Sequence, residues 1–236
     1  MAKQKETHTS LVIDNFSSVT AEALQKLQTN ISFAGVEQPL KVIGITSSIE
    51  GEGKSTLTVN MANTYAFRGA KVLIVNLDLR RPTIHRLLNI PNKIGITDYV
   101  TSDDLKPEDI INTVPSGIDI INAGTRTPFS TKILNSPKMA ELIEKLRPSY
   151  DYILVDTPPV LLVTDAIICS KFIDGMIMVC SQKRTKKKDL VNCVKTMEDN
   201  HVNIIGVVMT EVKDYSQIGS GRELHQYYYG SENKKK

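Results

Sequence analysis

Apolar residues along the chain come in short, dense runs rather than in single alternation. The runs fall at residues 41–46, 71–77, 118–122, 152–155, 175–180 and 203–209, and each ends at a turn-forming or polar stretch. A strand apolar on both sides of its backbone is one that both faces of a sheet will bury, as in a parallel sheet sandwiched by helices. Between the runs the spacing turns helical, predicting helices over 21–33, 55–67, near 96–100, near 107–112, and over 132–146, 164–171 and 185–201. In the first of these Thr20 is the cap, and Leu24, Leu27 and Ile31 share one face. Six strands alternating with helices predict an α/β fold: a single domain with a doubly wound, mostly parallel sheet and helices on both faces.

The pattern also sets the expected boundaries. Residues 1–18 are polar and then mixed, with Leu11 to Ile13 as a short extended candidate, and read as a flexible arm. Residues 19–212 carry the periodic elements. From 213 to 236 the periodicity dissolves into a polar, lysine-ended tail that holds Tyr215, Tyr227, Tyr228 and Tyr229 and too little apolar surface to build a core.

Composition narrows the possibilities modestly. With 236 residues, 41% of them apolar and 23% charged, the chain has the makeup of a soluble globular protein. A net charge of +3 is too small for a general nucleic-acid binder. Its basic clusters at Lys183, Arg184 and Lys186 to Lys188, and at Lys234 to Lys236, read either as solvated faces or as points of attraction to an anionic surface. Cys169, Cys180 and Cys193 lack metal-ligand spacing and suit reduced core thiols of a cytoplasmic protein. No apolar run is long enough to span a bilayer, and the N-terminus begins no secretory h-region.

The chemistry concentrates after the first strand. Residues 42–56 read Val-Ile-Gly-Ile-Thr-Ser-Ser-Ile-Glu-Gly-Glu-Gly-Lys-Ser-Thr, a strand, a glycine turn and a helix start. This matches the phosphate-binding consensus G-x-x-x-x-G-K-[ST], with Ser48 at the first glycine. Gly51, Glu52 and Gly53 would bring backbone N–H groups around phosphate oxygens, and the helix starting near Ser55 and Thr56 would add its positive end. Lys54 would reach the terminal phosphates and the Ser55 hydroxyl would ligate Mg²⁺. A glycine-rich turn with no ligand is the plainer alternative.

Two acids at strand ends extend the pattern. Asp156 follows the run Tyr-Ile-Leu-Val, and Asp78 follows Val-Asn76-Leu. Strand C-termini are where ligands sit on such sheets, so both are candidate Mg²⁺ residues, although Asp also commonly opens turns. Arg80 could offset charge developing on a transferred phosphoryl group, whereas Arg81, before Pro82, reads as structural.

Taken together, residues 47–56, 73–82, 134–139 and 150–165 and the tyrosine-bearing tail resemble the bacterial tyrosine kinases of capsule and exopolysaccharide synthesis, over nearly the whole chain. Partition and cell-division ATPases of the same superfamily have an additional lysine where Ile49 stands here, which favours the kinase branch. The resemblance implies ATP- and Mg²⁺-dependent transfer of the γ-phosphoryl group to tail tyrosines of a neighbouring copy. Lys54, Ser55, Asp78 and Asp156 would take the roles given above. It also implies an activating partner, the cytoplasmic tail of a membrane-embedded polysaccharide co-polymerase, that holds the protein peripherally at the inner face of the plasma membrane.

The chain departs from the family at four places. The segment expected as Asp-x-Asp-x-Arg reads Asn76-Leu-Asp78-Leu-Arg80, and an amide lacks the basicity of the family's candidate base. A ring-forming Glu-x-x-Arg-x-x-Arg becomes Glu22-x-x-Gln25-x-x-Gln28, replacing fixed charges with neutral amides at the expected subunit interface. Thr210 stands where relatives often place an adenine-reading asparagine. The tyrosine run is short, Tyr227 to Tyr229 with Tyr215 apart. Two rival outputs follow: a partition-like switch ATPase, or an ATP-binding module whose chemistry Asn76 has disabled.

Overall fold

The computed structural model describes residues 19–212. The flexible arm expected at 1–18 and the tail expected at 213–236, including Leu11 to Ile13 and all four candidate acceptor tyrosines, lie outside the described residues. Seven strands form one sheet in the order β3-β4-β2-β5-β1-β6-β7. They are β1 (Val42–Ser47), β2 (Val72–Asn76), β3 (Ile111–Thr113), β4 (Asp119–Ile121), β5 (Tyr152–Asp156), β6 (Gly175–Ser181) and β7 (Ile204–Thr210). All neighbours pair in parallel except β3 with β4.

Alternate residues of the central strands feed two cores. Ile43 and Ile45 of β1, Ile74 of β2 and Leu154 of β5 pack under α1 (Val19–Ala34) and α2 (Lys54–Phe67). Val42, Leu73, Val75, Ile153 and Val155 pack on the other face beside α4 (Ile96–Thr101), α5 (Ser130–Leu134) and α6 (Pro137–Leu146). Met176 and Met178 of β6 meet Cys193 and Met197 of α8 (Lys187–Asp199) in a smaller cluster. Because α1 overlies α2, the latter is buried along most of its length, including polar Thr58, Asn60 and Asn63.

The doubly wound sheet is as the run pattern predicts, with informative differences. A helix was expected near 107–112, but residues 107–110 make one 3-10 turn and Ile111–Thr113 forms a seventh, antiparallel strand. Gly117, at φ 80°, turns the chain back into β4. A three-residue strand carries too little periodicity to separate it from a helical turn. The single helix expected over 132–146 is two, because Pro137 starts a new one and the Ser136 hydroxyl accepts from Met139 N–H to cap it. The short helix α3 (Ile84–Leu87) had no sequence signal, and α7 spans Asp165–Cys169. The described residues do not cover the edge strand β7 on both faces: Val207 and Met209 are about half exposed. Gln28, expected at a subunit interface, turns into its own subunit, with its amide buried and unpartnered among the described residues. Glu22 and Gln25 remain exposed, Glu22 beside Lys26.

Candidate nucleotide site

The predicted chemical residues of the core map to the C-terminal edge of the sheet, after β1, β2 and β5, with Thr210 at the end of edge strand β7. Gly51 and Gly53 lie at φ 78° and 92°, the left-handed region that glycine enters without a Cβ penalty. Gly53 ends the turn as the residue before α2, and its carbonyl accepts from Leu57 N–H at 2.8 Å.

The loop is held from beneath by Glu52, whose side chain is folded inward and buried. Its carboxylate accepts from Ser48 N–H at 2.7 Å, Ser48 Oγ at 2.8 Å, Ile49 N–H at 3.0 Å and the Thr185 hydroxyl. Ser48, at the consensus glycine, thus serves as a double donor. Thr210 Oγ1 donates to the Glu52 carbonyl at 2.7 Å, joining the end of β7 to the loop. The Ser48, Glu52 and Thr210 side chains therefore brace the loop, while Gly51, Gly53, Lys54, Ser55 and Thr56 line the open side. Arg184 and Lys183 pair with Glu211 just beyond β7, so this basic cluster is partly neutralised.

That open side is one wall of a cavity of about 450 Å³. Its opposite wall consists of Asp78, Arg81, Thr83, Arg86 and Leu87. Register places Asp156 beside Asn76 at the end of β2 and beside Ile45 of β1, next to the start of α2. Lys54 Nζ lies 2.8 Å from Asp78 Oδ2, 3.4 Å from Asp156 Oδ1 and 3.2 Å from Ser55 Oγ. Ser55 Oγ donates to Asp156 Oδ2 at 2.7 Å and accepts from Thr83 Oγ1 at 2.8 Å.

Two buried carboxylates share one ammonium here. Burial, reinforced by Asp78, holds Asp156 above the usual carboxylate range despite the pull of Lys54 and Ser55. Burial alone would lower Lys54, but Asp156 and Asp78 outweigh it and keep the ammonium charged. Such a cluster favours additional positive charge. Asp78, Asp156 and Ser55 offer hard oxygen donors of the kind Mg²⁺ takes alongside substrate phosphates and water, so the residues present fit that ion.

Asn76 is fully buried; its Oδ1 accepts from Asp78 N–H at 3.3 Å, and its Nδ2 has no partner among the described residues. Arg80 does not line the cavity. Its Nε and Nη2 bind the buried Asp165 carboxylate at 2.8 and 3.2 Å, with Thr131 bonded to both. Burial would raise Asp165, yet Arg80 and Thr131 hold it below the usual carboxylate range. Arg81, read from sequence as structural, reaches the cavity, and so does Thr83. No sequence signal distinguished Thr83, since its value lies in a contact with Ser55, 28 positions earlier.

The cysteines are buried, and burial raises their thiols, Cys193 to about 12. No group of three or more His, Cys, Asp or Glu side chains placed to hold a metal ion occurs among the described residues, so any Mg²⁺ here would lean on the Ser55 hydroxyl and on phosphate and water oxygens. No helix among them is long and apolar enough to cross a membrane.

A phosphate-binding loop with two strand-end aspartates on a parallel sheet defines a P-loop NTPase domain, and comparison with known proteins agrees. The family model for ParA, described as NUBPL iron-transfer P-loop NTPase, matches residues 38–233. Tyrosine-protein kinase YwqD of Bacillus subtilis (strain 168) is 31% identical over 216 residues, covering 91% of this chain and 88% of the relative. Among solved structures, the chimerical protein CapA2B2 matches at TM-score 0.81 and 31% identity, over 85% of this chain and 88% of that one. The kinase domain of the Escherichia coli tyrosine kinase ETK matches at 0.80 and 28%, over 85% and 80%. The septum site-determining protein MinD of Pyrococcus horikoshii, complexed with Mg-ADP, shares the fold at TM-score 0.60 and 24% identity, over 72% and 69%. The chain belongs to the bacterial tyrosine-protein kinases, within the ParA-type P-loop NTPases.

Proposed function

We propose that the chain is an ATP- and Mg²⁺-dependent protein tyrosine kinase that phosphorylates its own C-terminal tyrosines, chiefly Tyr227, Tyr228 and Tyr229 with Tyr215 as a further acceptor. The observation that carries this reading is the convergence of Lys54, Ser55 and Asp78 on one cavity, with the buried Asp156 bonded to Lys54 and Ser55 behind them, in a chain of this family. The loop N–H groups and Lys54 would hold the β- and γ-phosphates. Asp78, Asp156 and Ser55 would hold Mg²⁺, which supplies charge neutralisation on the phosphates when bound. The tyrosine oxygen attacks the γ-phosphorus, ADP leaves, and the phenolic proton passes to solvent.

Asn76 bears on the rate. Phosphoryl transfer depends mostly on positioning and charge, so an amide at this place slows the reaction without abolishing it. Acceptor tyrosines would come largely from a neighbouring copy, in an assembly to which Glu22 and Gln25 contribute from the exposed side of α1. The cytoplasmic tail of a membrane-embedded polysaccharide co-polymerase would activate the kinase at the inner face of the plasma membrane, and the output would be control of capsular or exopolysaccharide synthesis. The names of the similar proteins, kinases and a CapA2B2 chimera, support this setting.

The buried neutral Asn76 also favours a second reading, an ATP-binding module or switch ATPase without transfer. Calorimetric titration of ATP with Mg²⁺ onto the parent chain and Lys54→Met, paired with a transfer assay, separates these. Binding lost in Lys54→Met together with phosphotyrosine in the parent supports the kinase. Binding with hydrolysis and no phosphotyrosine supports the switch.

A further inference from the structure

We propose that Arg81, and not its neighbour Arg80, is the arginine that meets the transferred phosphoryl group, and that its pairing with Glu50 is one position of a two-position gate across the cavity mouth. This rests on the cavity being the ATP site. Arg80 is committed elsewhere: two of its nitrogens hold the carboxylate of Asp165, which has no solvent exposure. Releasing it would leave a buried charge unpaired, which is strongly unfavourable.

Arg81 differs on each count. Its backbone N–H donates to Asp78 Oδ1 at 2.9 Å, while the other oxygen of that carboxylate meets Lys54. The root of the side chain is thus fixed beside the ammonium that marks the phosphate position. The head is free to move, for its Nη1 bonds Glu50 Oε2 at 2.5 Å in a pair 72% and 48% exposed, a kind of contact that solvent weakens. Glu50 belongs to the phosphate-binding loop and Arg81 to the facing wall, so the pair spans the opening. A terminal phosphate beside Lys54 offers more negative charge than one carboxylate and suits the guanidinium fork, so it would draw Arg81 off Glu50. Arg86 also lines the cavity, but its Nη2 is held by the Pro82 carbonyl at 3.3 Å.

The test uses the full chain with Mg²⁺ and compares the affinity of ADP with that of ADP plus aluminium fluoride, which mimics the phosphoryl group in flight. Arg81→Ala should weaken the fluoride complex about 100-fold, with ADP affinity changed less than about three-fold. Arg81→Lys should fall between. Glu50→Gln should tighten the fluoride complex about two- to five-fold by releasing the gate. The Arg81 side chain is largely exposed and its backbone bond survives in alanine, so folding is retained.

Equal loss for ADP and the fluoride complex, or no loss for either, overturns the assignment to Arg81 and leaves the kinase reading standing. A parent chain that binds ADP but gains no affinity from aluminium fluoride overturns the transfer site itself, and Arg81 with it.

Discussion

Replacing Asn76 by aspartate should trade stability for rate, and the structure sets the size of the trade. The side chain at 76 is fully buried, its residue pairs in register with Asp156, and Asp78 lies two positions on. Lys54 is the cation already shared by both acids. A third carboxylate would face burial and two like charges, enough to raise its pKa by roughly two to three units. At about 1.4 kcal/mol per unit, the ionised form costs about 3–4 kcal/mol near pH 8. For a domain of this size that lowers Tm by roughly 6–15 °C.

The sign with pH follows from proton uptake. Between the unfolded carboxyl value and the raised folded one, the folded state binds more protons, so stability falls as pH rises. The Tm gap between Asn76→Asp and the parent should therefore widen from pH 5 to pH 8 and shrink when Mg²⁺ and ATP are added. Tyrosine transfer should rise about 100-fold, because a base becomes available. Thermal melts at several pH values, with and without Mg²⁺ and ATP, provide the check. A variant as stable as the parent at pH 8, with no pH or Mg²⁺ dependence of the gap, would refute the three-carboxylate picture.

Three other changes probe the remaining parts. Lys54→Met should reduce ATP affinity at least 100-fold and leave two buried acids facing each other, so millimolar Mg²⁺ alone should raise its Tm; calorimetry and melts report both. Glu52→Gln keeps one acceptor oxygen but puts an NH2 donor where the other met either Ser48 and Ile49 N–H or the Thr185 hydroxyl, and should cost about 1–3 kcal/mol in denaturant unfolding, with faster hydrogen exchange in residues 48–53. Arg80→Ala should cost about 2–4 kcal/mol by stranding Asp165. Since the folded-state pKa of Asp165 is depressed, its contribution in the parent is present above about pH 4 and is lost as pH falls further, a loss that acid titration should find missing in Arg80→Ala.

What the sequence disclosed was local. The β1 strand, Gly51, Gly53, Lys54 and Ser55 lie within 14 positions, so the spacing that marks them is readable in one stretch, although Lys54 and Ser55 find their partners in Asp78, Thr83 and Asp156 far along the chain. Asp78 and Asp156 were legible because both end dense apolar runs, and a parallel sheet brings such ends together. Contacts across long separations were not. Nothing near Glu52 indicates that Thr185 and Thr210 join it, nor does anything near Arg80 select Asp165 over a phosphate. Arg80 and Arg81 are chemically identical neighbours, and the Asp78 bond to the Arg81 N–H, together with the burial of Asp165, separates their roles. Of the β3–β4 pair, β4 was legible as the run at 118–122, whereas β3 escaped notice because it is three residues long and its pairing with β4 stabilises it more than any local preference.

The central claim is tyrosine phosphorylation within a P-loop site. The most direct measurement is to incubate the purified chain with Mg²⁺ and γ-labelled ATP, beside Asn76→Asp and Lys54→Met, and to map phosphotyrosine by mass spectrometry. The account predicts label on Tyr227 to Tyr229, slow in the parent, faster in Asn76→Asp and absent in Lys54→Met. ATP bound or hydrolysed with no phosphotyrosine in either the parent or Asn76→Asp would contradict it.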